Sequence, residues 1–116
     1  MDHLALAVAD QERSRRFYEK HFGFGARPAR RYDDGILMLY NEKGYALALG
    51  QVAGEITLPP FMHFGVGLAS PDQVRALARR LKADGVEIVE RWEEPDYVSV
   101  KCRDPDGYVV ECSWEP

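Results

Sequence analysis

The predicted order of strands and helices occurs twice along the chain, and this repeat constrains the fold more than any other feature. In the first half a strand over 3–10 is followed by a helix over 11–22 and by strands over 36–40 and 45–50. The second half repeats this order, with a helix that ends before Gly85 and with strands over 63–70, 86–92, 97–102 and 108–114. Half of a 116-residue chain is too short for a good core, so we expect the two halves to pack their sheets edge to edge around one cavity.

The expected organisation is one domain of two repeated modules, 1–53 and 62–116, with a linker over 54–61. Helix signals support this division. Asp10 can cap the first helix, and Gly23 follows its last turn, where a left-handed residue is favoured. A capping box over 70–73 starts the second helix, whose apolar side chains recur at helical spacing. These side chains are Val74, Leu77, Ala78 and Leu81.

Two histidines occupy equivalent positions in the two modules. Because side chains alternate between the faces of a strand, each histidine shares its face with residues two and four positions further on. Those residues are very small in both modules: Ala5 and Ala7 beside His3, and Gly65 and Gly67 beside His63. A face of small residues leaves room for a bound molecule.

Glu111 lies among apolar residues in the last predicted strand. A buried carboxylate without a partner costs several kcal/mol, so Glu111 requires a cation or a hydrogen-bond donor. When the turn glycines Gly44 and Gly107 are aligned, the first module has Ala48 at the position of Glu111. The first module therefore has no carboxylate at the position equivalent to Glu111.

Two imidazoles and one carboxylate on a cavity wall predict a divalent metal site at His3, His63 and Glu111. Such a set can hold Fe(II), our first expectation, and also Mn, Zn, Ni or Co, with other positions open to ligands. The residues leave two alternatives open. Each histidine can have a structural role, and Glu111 can form a salt bridge with Lys101 on the neighbouring strand.

The same alternation indicates which other side chains surround the site. The strand over 97–102 directs Tyr97, Ser99 and Lys101 to one polar face, and its counterpart in the first module is apolar. We expect the cavity and its substrate contacts to include Ala5, Met38, Ala48 and Ser99. His21, late on the first helix, is expected at the surface.

Composition excludes several functions. The net charge is −4 and the sequence pI is about 5.3, so no nucleic-acid partner is expected. No apolar stretch approaches the ~20 residues that span a bilayer, and no signal-peptide pattern is present. The two cysteines, Cys102 and Cys112, are expected to be reduced and buried. We expect a cytoplasmic protein without a membrane partner.

The sequence resembles the vicinal oxygen chelate superfamily, which includes glyoxalases, extradiol dioxygenases, fosfomycin-resistance transferases and bleomycin-binding proteins. The resemblance covers nearly the whole chain and depends mainly on "DHLALAVAD", "FYEKHFGF", "MHFGVGLAS" and "DPDGYVVE". It implies an α+β fold in which two βαβββ modules form an open, cupped mixed sheet. It also implies a homodimer with a metal bound in the cup, where the two histidines of one site come from one chain or from both.

The family's metal ligands correspond to His3, His63 and Glu111. Ala48 replaces the carboxylate that glyoxalase I uses in proton transfer, which weakens the glyoxalase interpretation. Ala5 replaces a hydroxyl residue of the fosfomycin enzymes. The leading expectation is therefore dioxygenase-like chemistry on a small, oxygen-rich substrate, with Tyr97 or Lys101 as proton donor or substrate anchor.

Other functions remain open within the same family. The first alternative is a metal-free protein that sequesters an antibiotic, as bleomycin-binding proteins do. Glyoxalase-type isomerisation and fosfomycin-type thiol transfer are further alternatives.

Overall fold

The chain forms two structural units, residues 1–57 and 58–116, in a computed structural model that describes residues 1–116. The division lies within the segment that the sequence predicts as a linker. Each unit contains a strand, a helix and three further strands in that order. The predicted α+β class with two βαβββ modules is confirmed.

Unit 1 has a mixed four-stranded sheet in the order β1-β4-β3-β2. Strands β1 and β4 are parallel, and the other neighbours are antiparallel. Its elements are β1 (His3–Val8), α1 (Gln11–His21), β2 (Arg30–Arg31), β3 (Leu37–Tyr40) and β4 (Ala46–Gln51).

Unit 2 repeats this topology with the sheet order β5-β8-β7-β6, in which β5 and β8 are parallel. Its elements are β5 (His63–Gly67), α2 (Pro71–Ala83), β6 (Ile88–Glu94), β7 (Tyr97–Arg103) and β8 (Val109–Trp114). A register shift between Ile88 and Glu90 interrupts the pairing of β6 with β7.

Helix α2 begins and packs as its sequence predicts. The Ser70 hydroxyl accepts a 3.2 Å hydrogen bond from the backbone N–H of Gln73, and Pro71 opens the helix. Such a cap satisfies one of the backbone donors that have no partner in the first turn. The apolar stripe is buried in full: Val74, Leu77, Ala78 and Leu81. Burial of this stripe attaches the helix to its sheet.

Helix α1 differs from expectation at one residue. Asp10 caps it and Gly23 follows it with φ +72°, as predicted. His21, however, is only 7% exposed, and its ring lies 5.4 Å from the ring of Phe17. The prediction of a surface histidine was wrong because His21 is three residues after the buried Tyr18 and so shares its helix face.

The short strand β2 is a second difference, because the sequence predicts only a loop there. Arg30 and Arg31 pair with Met38 and Leu37 at the edge of the sheet, and both arginines are exposed. Such a strand has no apolar alternation from which it can be recognised. Neither α1 nor α2 has the length and apolar character that a membrane-spanning helix needs.

Candidate metal centre

Glu111 lies on the face of β8 opposite to the core of unit 2. Its neighbours Val110 and Cys112 are buried, whereas the Glu111 side chain is 14% exposed. In the sheet, Glu111 pairs with Gly65 on β5 and with Lys101 on β7. The pleat of the strand therefore directs a carboxylate out of the core at the middle of a sheet.

His63 brings a second donor to this carboxylate. Its Nε2 atom lies 3.8 Å from Oε1 of Glu111, and its side chain is 26% exposed. This separation is too long for a hydrogen bond. It lies within the span that one ion can bridge, since two bonds of up to about 2.2 Å place two donor atoms at most about 4.4 Å apart.

The other nitrogen of His63 determines which tautomer the ring adopts. Nδ1 lies 2.9 Å from the backbone oxygen of Phe61. A carbonyl oxygen only accepts hydrogen bonds, so Nδ1 carries the proton in this contact. In the neutral ring Nε2 then has a free lone pair facing Glu111, as metal binding requires.

Tyr97 holds the other side of the carboxylate. Its hydroxyl donates a 2.5 Å hydrogen bond to Oε2 of Glu111. Donation to the carboxylate, with desolvation, raises the pKa of Tyr97 above its ordinary value. Two residues, Tyr97 and Phe61, thus orient Glu111 and His63 so that one oxygen and one nitrogen face each other.

Lys101 does not form the salt bridge with Glu111 that the sequence left open. Although the two residues are opposite each other in β7 and β8, the Lys101 ammonium lies 3.6 Å from Oε2 of Glu90 on β6. The pKa of Glu90 is lowered, first by the indole N–H of Trp92 and also by the charge of Lys101. Glu111 therefore remains available to a cation other than Lys101.

A cavity of about 430 Å³ lies beside His63 in unit 2. Its lining includes the apolar residues of the segment 58–62 with Val89 and Val109, and the charged residues Glu90, Lys101 and Arg103. Its volume is in the range of small-molecule sites. Ser99, predicted to contact substrate, is 1% exposed and lies outside the lining of this cavity.

The remaining predicted site residues belong to unit 1. His3 is opposite Ala46 in β4, as His63 is opposite Val109 in β8, so the two histidines occupy equivalent sheet positions. The His3 side chain is 61% exposed, and its Nδ1 lies 2.7 Å from Oδ1 of Asp2. Both histidines therefore have an oxygen acceptor at Nδ1.

A row of paired residues across each sheet makes the difference between the units explicit. In unit 2 this transverse row consists of Gly65, Glu111, Lys101 and Glu90. In unit 1 the corresponding transverse row consists of Ala5, Ala48, Met38 and Arg30. Ala48 thus has the sheet position of Glu111, and Met38 that of Lys101.

Of the three predicted ligands, the structure brings His63 and Glu111 together. The chain contains no group of three or more His, Cys, Asp or Glu side chains arranged to hold a metal ion. The residues of unit 2 fit part of a metal site through their donor types and orientation. Sequence reasoning missed Phe61, whose role depends on its backbone, although the preceding Pro59 and Pro60 indicate a constrained segment.

Comparisons with known proteins extend these observations. The model of the glyoxalase family, described as the glyoxalase/bleomycin resistance protein/dioxygenase superfamily, matches residues 1–112. An uncharacterized protein of Pseudomonas aeruginosa is 30% identical over 122 residues, which cover 98% of this chain and 87% of that protein.

Solved structures show the same fold. A possible glyoxalase from Bacillus cereus has a TM-score of 0.78 and 28% identity, covering 97% of this chain and 96% of that one. The fosfomycin resistance protein of Listeria monocytogenes, in complex with Mn(II) and sulfate, has a TM-score of 0.81. It is 16% identical and covers 100% of this chain and 90% of that one, a likeness that concerns the fold alone. The chain belongs to the glyoxalase/bleomycin resistance protein/dioxygenase superfamily, which confirms the resemblance found in its sequence.

Proposed function

We propose that this protein is a divalent-metal-dependent enzyme that acts on a small, oxygen-rich molecule, with His3, His63 and Glu111 as the metal ligands. One observation carries the proposal. Nε2 of His63 faces Oε1 of Glu111 at 3.8 Å, and each side chain is held on its far side by a hydrogen bond. Two pre-oriented donors without a direct hydrogen bond between them favour a shared ion.

His3 is proposed as the third ligand because of its sheet position, which is equivalent to that of His63. The proposed protein is a homodimer, and His3 of the same chain or of a second copy completes the set. When bound, the ion supplies Lewis acidity to two neighbouring substrate oxygens or a place where oxygen and substrate meet. Fe(II) is our first choice, before Mn, Zn, Ni or Co.

The residues around the candidate site support a small substrate. The cavity beside His63 combines the apolar side chains of Phe61 and Met62 with the cations Lys101 and Arg103. An apolar wall with a few charged groups is typical of small-molecule sites. Lys101 is proposed to anchor a substrate oxygen, and Tyr97 is proposed to orient Glu111 and to serve as a proton donor.

Dioxygenase-like chemistry is the proposed reaction class. Its support is Ala48, which provides no carboxylate at the position equivalent to Glu111. A second carboxylate for proton transfer, on which a glyoxalase-type isomerisation depends, is therefore missing from the repeat. Isomerisation and thiol transfer are the alternatives within the same metal-dependent class.

Metal titration tests the proposal directly. Purified protein, stripped of metal, is titrated with Fe(II) under anaerobic conditions and with Mn(II) and Zn(II), and the stoichiometry is measured. We expect one ion per chain and a loss of affinity of tenfold or more in His3→Ala, His63→Ala and Glu111→Gln. Glu55→Gln, an exposed glutamate in unit 1, is the matched control. Unchanged binding in His63→Ala would overturn the proposal.

Oxygen uptake then distinguishes the reaction classes. Fe(II)-loaded protein is incubated with a panel of catechols in an oxygen electrode, with His63→Ala as the blank. Uptake that depends on His63 supports dioxygenase-like chemistry. Tight metal binding without uptake supports the isomerase if a hemithioacetal is isomerised, and the thiol transferase if a supplied thiol is added to an epoxide.

A metal-free sequestering protein is the second candidate function. It is favoured by the exposure of Phe61, which is 85% exposed at the edge of the cavity and so offers an apolar surface to a ligand. Calorimetry of metal-free protein with bleomycin tests it. Binding that is equal in wild type and Glu111→Gln, with no turnover, supports sequestration, and absence of binding excludes this ligand.

A further inference from the structure

Phe61 has a backbone conformation that its side chain does not explain. Its φ is +68°, and it is the one residue of the chain other than glycine with a positive φ. This region is unfavourable for a residue with a Cβ atom, and least so for asparagine, aspartate and glycine. The Phe61 side chain is 85% exposed, so burial of the ring does not hold the backbone in this state.

The backbone and the ring of Phe61 both contact His63. The Phe61 carbonyl oxygen lies 2.9 Å from Nδ1 of His63, two residues along the chain. The two rings also pack edge to face, with centroids 5.2 Å apart and an interplanar angle of 73°. Strained backbone at a ligand clamp is a recurrent feature of functional sites.

We propose that Phe61 is a positioning residue, whose left-handed backbone directs its carbonyl oxygen to Nδ1 of His63 and thereby selects the tautomer that leaves Nε2 free towards Glu111. The metal part of this inference rests on the proposed function. The tautomer is a property of the metal-free protein and is measured separately.

The backbone and the ring of Phe61 can be separated by substitution. Phe61→Gly removes the ring but favours a positive φ, so the carbonyl oxygen stays near Nδ1. Phe61→Val introduces a β-branched side chain for which a positive φ is an outlier, so the carbonyl oxygen moves away. Thr57→Val is the control, since Thr57 is exposed, lies outside the lining of the cavity and does not have a positive φ.

The experiment uses metal-free protein labelled with ¹⁵N-histidine at about pH 8.5, about two units above the ordinary histidine pKa. The chemical shifts of Nδ1 and Nε2 of His63 give the tautomer. We expect the form protonated at Nδ1 to predominate in wild type, Phe61→Gly and Thr57→Val, and to be lost in Phe61→Val. A wild type in which Nε2 carries the proton, or a Phe61→Gly variant that loses the tautomer, would overturn the inference.

Zinc titration of the same four proteins gives the second readout. We expect the dissociation constant to rise about tenfold or more in Phe61→Val and to change less than threefold in the other two variants. Tautomer selection without zinc binding would refute the proposed function and leave the positioning role intact. If zinc binds, but Phe61→Val changes neither the His63 tautomer nor the zinc affinity, the positioning role alone would be refuted. If Phe61→Val does not fold, Phe61→Ala is used, with smaller changes expected in the same direction.

Discussion

The hydroxyl of Tyr97 donates a 2.5 Å hydrogen bond to Oε2 of Glu111, and the other oxygen of this carboxylate, Oε1, is the one that faces His63. The bond joins two adjacent strands, β7 and β8, on the face that is turned away from the core. It restricts rotation of the carboxylate about its last bond. The orientation of one candidate ligand is thus set by a side chain that makes no contact with the ion in our proposal.

Replacement of this hydroxyl tests its role. We expect Tyr97→Phe to lower the affinity for a divalent metal by about 10- to 100-fold, as loss of an outer partner of a ligand typically does. Tyr45→Phe is the control, because the Tyr45 hydroxyl contacts only the sulfur of Met1, in unit 1. Calorimetric titration gives both affinities, and equal values for the two variants would contradict the role of Tyr97.

A methyl group at Gly65 is expected to disturb Glu111. A Cβ atom there would lie 3.3 Å from the Glu111 carbonyl oxygen and 3.6 Å from its Cβ. We expect Gly65→Ala to destabilise the protein by about 1 kcal/mol through this crowding, and to weaken metal binding. Gly67→Ala on the same strand is the control, because its Cβ would meet nothing within 4 Å. Urea unfolding and metal titration measure the two effects, and a Gly65→Ala variant that matches Gly67→Ala would refute the expectation.

The core of unit 2 is expected to depend on Leu77. This residue is 1% exposed in the apolar stripe of α2, so Leu77→Ala should lower the free energy of unfolding by about 2–5 kcal/mol. Arg79→Ala, at an exposed position of the same helix, should change it by less than about 0.5 kcal/mol. Urea denaturation gives both values, and similar losses in the two variants would be inconsistent with a core centred on this stripe.

The two buried thiols predict a loss of stability at high pH. Burial raises the pKa of Cys102 to about 12 and that of Cys112 to about 12, from the ordinary value of 9.0. Below pH 9 the two thiols are protonated in the folded and in the unfolded protein. Between pH 9 and 12 the unfolded chain releases these thiol protons, whereas the folded chain retains them. The free energy of unfolding therefore falls as pH rises through this window. Thiol titration at pH 8 should show both cysteines to be unreactive until the protein is unfolded.

The contribution of the thiols is isolated with a double variant. Cys102→Ala with Cys112→Ala should reduce the slope of unfolding free energy against pH between pH 9 and 12. An identical slope in wild type and the double variant would show that other groups cause the alkaline loss.

Local signals in the sequence predicted much of the fold. The capping box and the apolar stripe of α2 depend on contacts within one helix and its sheet, and all four stripe residues are buried. The equivalence of Ala48 and Glu111 followed from two turn glycines, and the sheet pairings agree with it. Both features are periodic, and periodicity is visible in a single sequence.

The hydrogen-bond and salt-bridge partners of the site residues were harder to predict from the sequence. Alternation placed Glu111, Tyr97 and Lys101 on one face, but which donor reaches the carboxylate depends on side-chain length and on Glu90, which takes Lys101 as its partner. The left-handed backbone of Phe61 has no residue-type signal, because phenylalanine rarely adopts it. The prediction that His21 lies at the surface was wrong because it gave more weight to the polarity of the side chain than to its position on a buried helix face.

The contrast between the two transverse rows has a consequence for how this protein can evolve. The row of unit 2 contains a carboxylate, a lysine and a second carboxylate, and a change at Glu111 removes a donor. The row of unit 1 contains Ala5, Ala48, Met38 and Arg30, and none of these side chains carries a carboxylate. Substitutions in the transverse row of unit 1 change the bulk and polarity of a sheet face, and they leave the side chains of Glu111 and His63 unchanged. In a duplicated scaffold of this kind, the transverse row of one module can change without altering the donor atoms in the row of the other module.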